Sequence, residues 1–269
     1  MKYILESHRE FERLEEQSSV DAWDFRRELA GIDFSHGKIL DAGSGSGIVS
    51  RHIAESNSAC QVVGCDLSPE RVKLAAATAS HIGNLKFQCE DLTHLSFESG
   101  SFDRIIARYV LEHLSPELLS QALGEFYRCL KPGGVLHVID LDGYLHNLYP
   151  QTPHVQACMK KIAEIQTADI FVGRKLPTLL ENSGFTDVTW KIETQNFTDQ
   201  SLKTEAVMIA ERFAHSVEGL SQVLGGVDSF IQFTRELQES LLTPGCVLFY
   251  NKFIISAHKP GSSPLRRIK

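Results

Sequence analysis

Short apolar runs alternate with segments of helical character through the first half of the chain. Residues 60–66, 101–109 and 135–139 are rich in apolar positions, as is typical of buried strands. Between them, Ser68-Pro69-Glu70 and Ser115-Pro116-Glu117 each combine an N-cap serine, a proline at the first helical position and an early acid, which predicts helix starts. This alternation predicts an α/β fold, with a parallel sheet covered by helices on both faces.

The pattern changes after residue 141. Residues 176–185 predict a helix closed by Gly184, and residues 188–192 and 247–257 predict a sixth strand and a last strand. Residues 198–242 intervene and predict two helices, whose apolar stripes fit either core packing or the lining of a substrate pocket. The stripes are Val207, Met208, Ala210, Phe213 and Ala214 on the first helix and Phe230, Phe233, Leu237 and Leu241 on the second.

A glycine-rich turn follows the first predicted strand, which ends in Ile39-Leu40-Asp41. The turn carries Gly43, Gly45 and Gly47 and opens a helix, so its backbone can approach a ligand that a Cβ would repel. A second strand ends at Asp66 about twenty residues later, where an acid can bind a ribose diol. Ile48 stands where a dinucleotide fingerprint requires glycine or alanine, and Asp41 would repel a pyrophosphate but favour an ammonium group.

This pattern resembles motif I of the class I S-adenosylmethionine (SAM)-dependent methyltransferases, D/E-x-G-x-G-x-G. The segments 84–92, 101–109 and 130–139 are similar to the third, fourth and fifth strand regions of that family, and the resemblance covers residues 37–141 as a SAM-binding core. It implies a Rossmann-like, mostly parallel sheet of seven strands with an antiparallel last strand. It also implies SAM as cofactor, in a small-molecule branch of natural-product and ubiquinone type.

By the same resemblance, Asp66 would bind the ribose hydroxyls and Asp91 the adenine amine. The run Glu10 to Gln17 is similar to a leader, E-x-x-R-L-x-x-Q, that closes over the cofactor, so residues 1–30 are expected to form a helical lid in which Arg13 pairs with the methionine carboxylate. An exposed charged helix face would explain this run equally well. The expected cofactor-binding residues are Tyr3, Arg13, Gln17, Asp41, Gly43, Ser44, Gly45, Gly47, Asp66, Leu67, Asp91, Leu92 and Arg108.

Methyl transfer from a sulfonium needs positioning first, and a base only where the acceptor must lose a proton. His113, in the turn after the fourth strand, is the predicted catalytic residue, either as a base or as a wall of the cofactor pocket; a structural histidine is the alternative. Other residues at the ends of strands four and five, or in the segment 173–177, could also act in the site. They are Tyr109, Glu112, Asp140, Asp142, His146 and Arg174.

Composition narrows the function further. The 269 residues, 42% of them hydrophobic, can bury one core and are interpreted as a single methyltransferase domain over residues 1–269, with 198–242 as a helical cap. A net charge of -7 disfavours a nucleic-acid partner, although Arg266-Arg267-Ile268-Lys269 is basic. The six cysteines show no metal-binding spacing, and Cys60, Cys65 and Cys89 are expected to be buried in strands, so no metal is expected.

No signal peptide or apolar membrane span is evident, so a cytoplasmic enzyme without a membrane partner is expected. The leading hypothesis is methyl transfer to O, N or C of a small molecule. Methylation of a protein or RNA, or SAM binding without turnover, are the alternatives. The oligomeric state stays open.

Overall fold

The computed structural model describes residues 8–19, 23–165 and 168–261. Five parallel strands form the central sheet in the order β3-β2-β1-β4-β5. They are β1 (Gly37–Ala42), β2 (Cys60–Asp66), β3 (Leu85–Cys89), β4 (Phe102–Arg108) and β5 (Leu130–Asp142). Asp41, Asp66, Arg108 and Asp140 therefore lie at or near the carboxyl ends of their strands, the edge at which ligands bind in open α/β sheets.

The sheet continues beyond β5 in antiparallel fashion. β8 (Val247–His258) pairs with β5 and also with β6 (Leu148–Tyr149) and β7 (Thr186–Phe197). The predicted Rossmann-like architecture with an antiparallel last strand is confirmed. The sheet has eight strands where seven were expected, because the two-residue β6 pairs with the start of β8. Cys89, expected to be buried, is exposed because it ends β3 at the edge of the sheet.

Ten α-helices lie in the described ranges. The predicted starts at residues 68 and 115 are confirmed, since the Ser68 and Ser115 side chains accept hydrogen bonds from the backbone N–H groups of Arg71 and Leu118. The helices are α1 (His8–Ser19), α2 (Phe25–Glu28), α3 (Ile48–Ser56), α4 (Pro69–Thr78), α5 (Pro116–Cys129), α6 (Pro153–Ala163), α7 (Leu176–Asn182), α8 (Asp199–His215), α9 (Val217–Leu224) and α10 (Val227–Leu242).

Helices cover both faces of the sheet because alternate strand residues point to opposite sides. Leu40 and Ile105 belong to one core, which includes Leu119 and Phe126 of α5. Their neighbours Ile39 and Ile106 belong to the other, which includes Phe25 of α2 and Ile53 of α3. A further core, built around Trp23, Ile209, Phe233 and Tyr250, joins the helices of the insertion to the carboxyl edge of the sheet.

The segment 198–242 forms three helices, α8, α9 and α10, where two were predicted. Ser216 separates the first two, and Gly225 and Gly226, with φ values of +95° and +126°, separate the last two. The stripe predicted on α10 is buried as expected. The stripe predicted on α8 is partly wrong: Val207, Ala210 and Ala214 are exposed, because the buried face of α8 follows Leu202, Glu205, Ala206, Ile209 and Phe213.

Candidate functional site

A cavity of about 350 Å³ lies at the carboxyl edge of the parallel strands, beneath α1 and α8. Fourteen of the residues predicted from sequence line it: Arg13, Gln17, Asp41, Gly43, Ser44, Gly45, Asp66, Leu67, Asp91, Leu92, Arg108, Tyr109, Glu112 and His113. The part of its wall formed by residues 41–46, 66–71 and 91–92 is called here the glycine-loop half. The part formed by Trp23, Tyr109, Leu141, Tyr144 and Arg212 is called the aromatic half.

The glycine turn between β1 and α3 can be built only with glycine at two of its positions. A Cβ on Gly43 would lie 2.2 Å from Cγ2 of Val110, and one on Gly47 would lie 2.5 Å from Cζ of Phe87. Gly45 is different, since its Cβ would meet only Leu14 Cδ1 of α1, at 3.1 Å. All three glycines have positive φ, a backbone conformation that favours glycine. The backbone lies open toward the cavity at Gly45 and is packed against Val110 at Gly43 and against Phe87 at Gly47.

Ser44 holds the turn against the neighbouring strand. Its backbone N–H donates to Cys65 O at 2.8 Å, and its Oγ is buried without a hydrogen-bond partner among the described residues. The open backbone at Gly45 fits a SAM-type cofactor.

Asp41 lies beneath the turn, 3% exposed, and its Oδ2 accepts a hydrogen bond of 2.5 Å from Ser50 Oγ. Burial raises the pKa of Asp41 to about 6, although the Ser50 hydrogen bond and Arg108 oppose the shift. A buried carboxyl in this state becomes a strong partner for a cation that enters the cavity, because the cation would offset the cost of ionising it.

Asp66 is held by its surroundings before any ligand arrives. Oδ2 accepts a 2.9 Å hydrogen bond from Gly45 N–H, and Oδ1 accepts bonds from Ser68 N–H at 2.9 Å and from the Arg71 guanidinium at 2.8 Å. Oδ2 therefore carries fewer hydrogen bonds than Oδ1, and it sits beside Gly45, where the turn is open. Arg71 was not predicted, although its position one turn into α4 is a local feature that sequence could have suggested.

Asp91 lies in the loop after β3 and is exposed. Its Oδ1 accepts hydrogen bonds from Thr93 N–H at 2.9 Å and Thr93 Oγ1 at 2.7 Å, and the Thr93 hydroxyl is the main reason why its pKa is lowered. Leu67 and Leu92 lie beside the two acids, and Leu67 is 42% exposed. The loops after β2 and β3 thus offer two carboxylates and two leucines to the same cavity.

α1 covers the glycine turn and is tied to the core. Glu15 forms a bidentate ion pair of 2.7 Å with Arg51 of α3, which also donates to Ser46 O at 2.9 Å. Arg13 Nη1 donates to Gln17 Oε1 at 2.7 Å, so the two residues predicted to lie one turn apart do so and both face the cavity. Tyr3 and the basic segment 266–269 lie outside the described residues.

Arg108 belongs to a buried charged cluster that sequence reasoning missed. Glu28 accepts hydrogen bonds from Arg108 Nε at 2.6 Å, Lys252 Nζ at 2.7 Å and Tyr109 OH at 2.5 Å, while Arg108 Nη2 donates to Trp23 O at 3.0 Å. Burial alone would raise the pKa of Glu28, but Arg108 and Lys252 outweigh it and lower that pKa. Burial and Glu28 raise the pKa of Tyr109 well above its usual value, which keeps the phenol protonated.

His113 closes the 3₁₀ turn Leu111–His113 at the rim of the cavity, with 42% of its side chain exposed. Its Nε2 lies 3.7 Å from Glu112 Oε1, so a carboxylate stands beside the imidazole. Asp140 lies below, fully buried, and accepts hydrogen bonds from the Leu111 and Glu112 N–H groups. Burial first and Glu112 second raise the pKa of Asp140 well above its usual value, and its backbone hydrogen bonds support this turn.

Four of the other candidates, Asp140, Asp142, His146 and Arg174, do not line this cavity. Asp142 forms a 2.6 Å ion pair with Arg174, and the His146 ring packs against Phe171 at 4.7 Å. Their contacts with neighbouring loops make them structural partners rather than parts of the site. Within the described ranges, the structure contains no cluster of three or more side chains suited to a metal ion. No helix in those ranges is both long and apolar enough to cross a membrane.

The comparisons with known proteins agree with this geometry. A family model described as a methyltransferase domain matches residues 39–134. The chain is 31% identical over 154 residues to an uncharacterized methyltransferase from Synechocystis sp., covering 56% of this chain and 68% of the relative. It is also 33% identical over 109 residues to a ubiquinone/menaquinone biosynthesis C-methyltransferase from Geotalea daltonii, covering 39% of this chain but only 46% of that protein.

A solved structure extends the likeness to the whole fold. The phosphoethanolamine N-methyltransferase 2 of Haemonchus contortus, in complex with phosphomonomethylethanolamine and S-adenosylhomocysteine, superposes with a TM-score of 0.56 at 18% identity. The match covers 97% of this chain and 61% of that one. At this identity the likeness concerns the fold alone.

Proposed function

This chain belongs to the class I SAM-dependent methyltransferases, and we propose that it transfers a methyl group to a small-molecule acceptor bound in the aromatic half of its cavity. The observation that carries the proposal is the continuity of the cavity, which joins the glycine turn and an aromatic wall in one partly enclosed space. A partly enclosed pocket with apolar walls and few polar groups suits a small ligand.

The glycine-loop half supplies groups that match each part of the cofactor. Asp41, with a pKa of about 6, is mostly ionised at neutral pH and would pair with the cofactor ammonium. Asp66 Oδ2 would accept from the ribose hydroxyls and Asp91 from the adenine amine, with Leu67 and Leu92 against the ring. Arg13 would pair with the carboxylate from above, and Gln17 would hold Arg13 in place.

SAM supplies, when bound, an electrophilic methyl group on a sulfonium, so the chain's own residues need to orient the acceptor and exclude water. Trp23 and Tyr109 are held edge to face, with ring centroids 5.4 Å apart, and form a rigid wall. His113, with Glu112 beside it, would accept a proton from an acceptor that carries one. The ubiquinone/menaquinone biosynthesis C-methyltransferase among the relatives supports a small-molecule acceptor rather than a protein or RNA.

Calorimetry on the purified chain tests the cofactor part of the proposal. SAM and its demethylated product should bind, NAD should not, and Gly45→Val should abolish binding, because its side chain would enter the one open position of the turn. Gly100→Val, also at a positive-φ glycine but in a loop away from the cavity, controls for backbone strain. Equal affinity for NAD and SAM would overturn the assignment.

Once an acceptor is known, His113→Ala tests the catalytic role. Loss of turnover with unchanged SAM affinity would support a base, and His113→Gln should then be equally inactive, since glutamine cannot accept the proton. Unchanged turnover in both variants would mean that catalysis rests on positioning alone.

A further inference from the structure

Arg212 of α8 stands in the wall of the aromatic half, with only 17% of its side chain exposed. Its guanidinium carbon lies 5.3 Å from the ring centroid of Trp23 and 5.3 Å from that of Tyr144, so the cation is held between two aromatic side chains. Nη1 also donates a hydrogen bond to Tyr144 OH. A buried guanidinium fixed in this way is a built feature of the cavity rather than a surface charge.

The charge of Arg212 is only loosely matched by protein. The nearest carboxylate within the described residues is Glu205, whose Oε1 lies 3.6 Å from Arg212 Nη1. Glu205 accepts its hydrogen bonds from other residues, since Trp23 Nε1 donates to Oε2 at 3.0 Å and Tyr250 OH donates to Oε1 at 3.0 Å. Arg108, by contrast, lies 2.6 Å from Glu28 and shares that carboxylate with Lys252.

Arg212 can donate further hydrogen bonds into the cavity. A guanidinium carries five N–H donors, and the described residues provide Arg212 with one side-chain acceptor, Tyr144 OH. The other charged side chains near this end, Arg108, Lys252, Glu28, Glu205 and Glu112, are of both signs, so the guanidinium itself is the feature that favours an anion over a second cation.

The remaining wall defines the body of that anion. Trp23, Tyr109 and Tyr144 present rings, Leu141 and Ile170 present aliphatic groups, and Arg212 supplies a planar fork of donors. Flat apolar surface beside a guanidinium suits an aromatic ring that bears one acidic group. A cationic amine or an extended neutral lipid would leave the guanidinium without compensation.

We propose that the acceptor is an aromatic monoacid whose anionic group lies against Arg212, between Trp23 and Tyr144. This rests on the proposed function, since it names the acceptor class for the same cavity. It concerns recognition and holds whichever atom of the acceptor takes the methyl group.

Trp23 allows a direct binding test, because the chain contains only two tryptophans. Trp190, the other, is 55% exposed on the edge strand β7, so Trp190→Phe leaves Trp23 as the single reporter beside Arg212. The experiment titrates this variant, saturated with S-adenosylhomocysteine, with benzoate and cinnamate and with their neutral amides, and follows Trp23 fluorescence. The acids should bind about ten-fold or more tightly than the amides, as expected for a buried charge-assisted pair.

Matched variants identify the guanidinium as the cause. Arg212→Met together with Glu205→Gln removes both buried charges, which avoids leaving Glu205 ionised alone, and should abolish the preference for acids. Arg212→Lys keeps the charge without the planar fork of donors, so this variant should retain part of the preference for acids. Arg235→Met, on the exposed face of α10, should leave the preference intact.

The two proposals fail separately. If S-adenosylhomocysteine does not bind, the proposed function is wrong. If it binds but acids and amides show equal affinity, if neither perturbs Trp23, or if benzylamine binds more tightly than benzoate, the acceptor class is wrong while the cofactor site stands. An acid preference that survives the double substitution would also overturn the role of Arg212.

Discussion

The two halves of the cavity are built in different ways. The glycine-loop half is made by short segments that each follow one strand, and its contacts join Gly45 to Asp66 or Asp66 to Arg71. The aromatic half is made by side chains from distant parts of the chain: Trp23 meets Glu205, and Glu28 meets Lys252. Its charges are buried in pairs and clusters, so the stability of the fold and the shape of the aromatic half depend on the same groups.

That difference leads first to a prediction about stability. Glu28→Gln removes the carboxylate that Arg108 and Lys252 share, so both buried cations lose this ion pair. We expect the free energy of unfolding to fall by about 3–5 kcal/mol, measured by urea denaturation. Glu239→Gln, which breaks an exposed pair with Arg235, is the matched control and should change almost nothing. A small effect of Glu28→Gln would mean that the aromatic half is not held by this cluster.

The second prediction concerns pH and Asp41. Burial raises its pKa from 3.8 to about 6, so the folded state resists ionisation and the contribution of Asp41 to stability falls as pH rises from about 4 to about 6. Relative to Asp41→Asn, the wild type should lose about 3 kcal/mol of unfolding free energy between about pH 4 and about pH 6, measured by urea denaturation. Subtracting the variant separates Asp41 from Asp140, whose pKa is shifted in the same direction.

The affinity for SAM should change with pH in the direction opposite to the stability. Because the ammonium group favours ionised Asp41, affinity for SAM should rise between about pH 5 and about pH 7, with proton release on binding at the lower pH. Calorimetry in buffers of different ionisation enthalpy measures that release. If Asp41→Asn releases as many protons on SAM binding as the wild type does, the protons come from another group.

The third prediction tests the carboxylates of the glycine-loop half. Asp66→Asn and Asp91→Asn should each weaken SAM binding by about 1–3 kcal/mol, as the ribose or adenine donors lose a charged acceptor. Asp66→Asn should also lower stability, since Arg71 loses its ion pair, whereas the exposed Asp91 should not. The two variants thus separate cofactor binding from folding. Unchanged affinity in either one would remove that residue from the site.

The smallest effects are expected in the helices above the cavity. Amide exchange in α1 and in α8 to α10 should slow when S-adenosylhomocysteine is added, because lids are drawn from the less stable parts of a fold. Arg13→Ala should weaken SAM only a few-fold, while Arg235→Ala serves as the surface control. If amide exchange in these helices is already slow before ligand is added, they are a fixed part of the structure and not a lid.

Sequence reasoning succeeded where structure is local. The glycine turn at 43–47 and the helix starts at Ser68 and Ser115 depend on neighbouring residues, and all are where they were expected. The apolar stripe predicted on α8 was partly wrong, because the inward face of that helix also carries two charged residues, Glu205 and Arg212. A search for apolar positions alone overlooks them. Their separation of seven residues, which places them on one helix face, was the available signal.

The charged cluster could not have been predicted in this way. Glu28 contacts Lys252 across 224 positions of the chain, and no local pattern relates the two. Buried ion pairs arise only once the sheet brings β8 beside α2, so they depend on topology. The aromatic half of this cavity is therefore the part that sequence motifs describe least.

The most direct test of the central claim follows the methyl group itself. The purified chain is incubated with methyl-labelled SAM and a fractionated pool of metabolites, with Gly45→Val as the control, and the products are separated by mass. We predict label in a low-mass acceptor, formed in step with S-adenosylhomocysteine and absent from the control. Label found only in protein or RNA, or no S-adenosylhomocysteine despite bound cofactor, would contradict it.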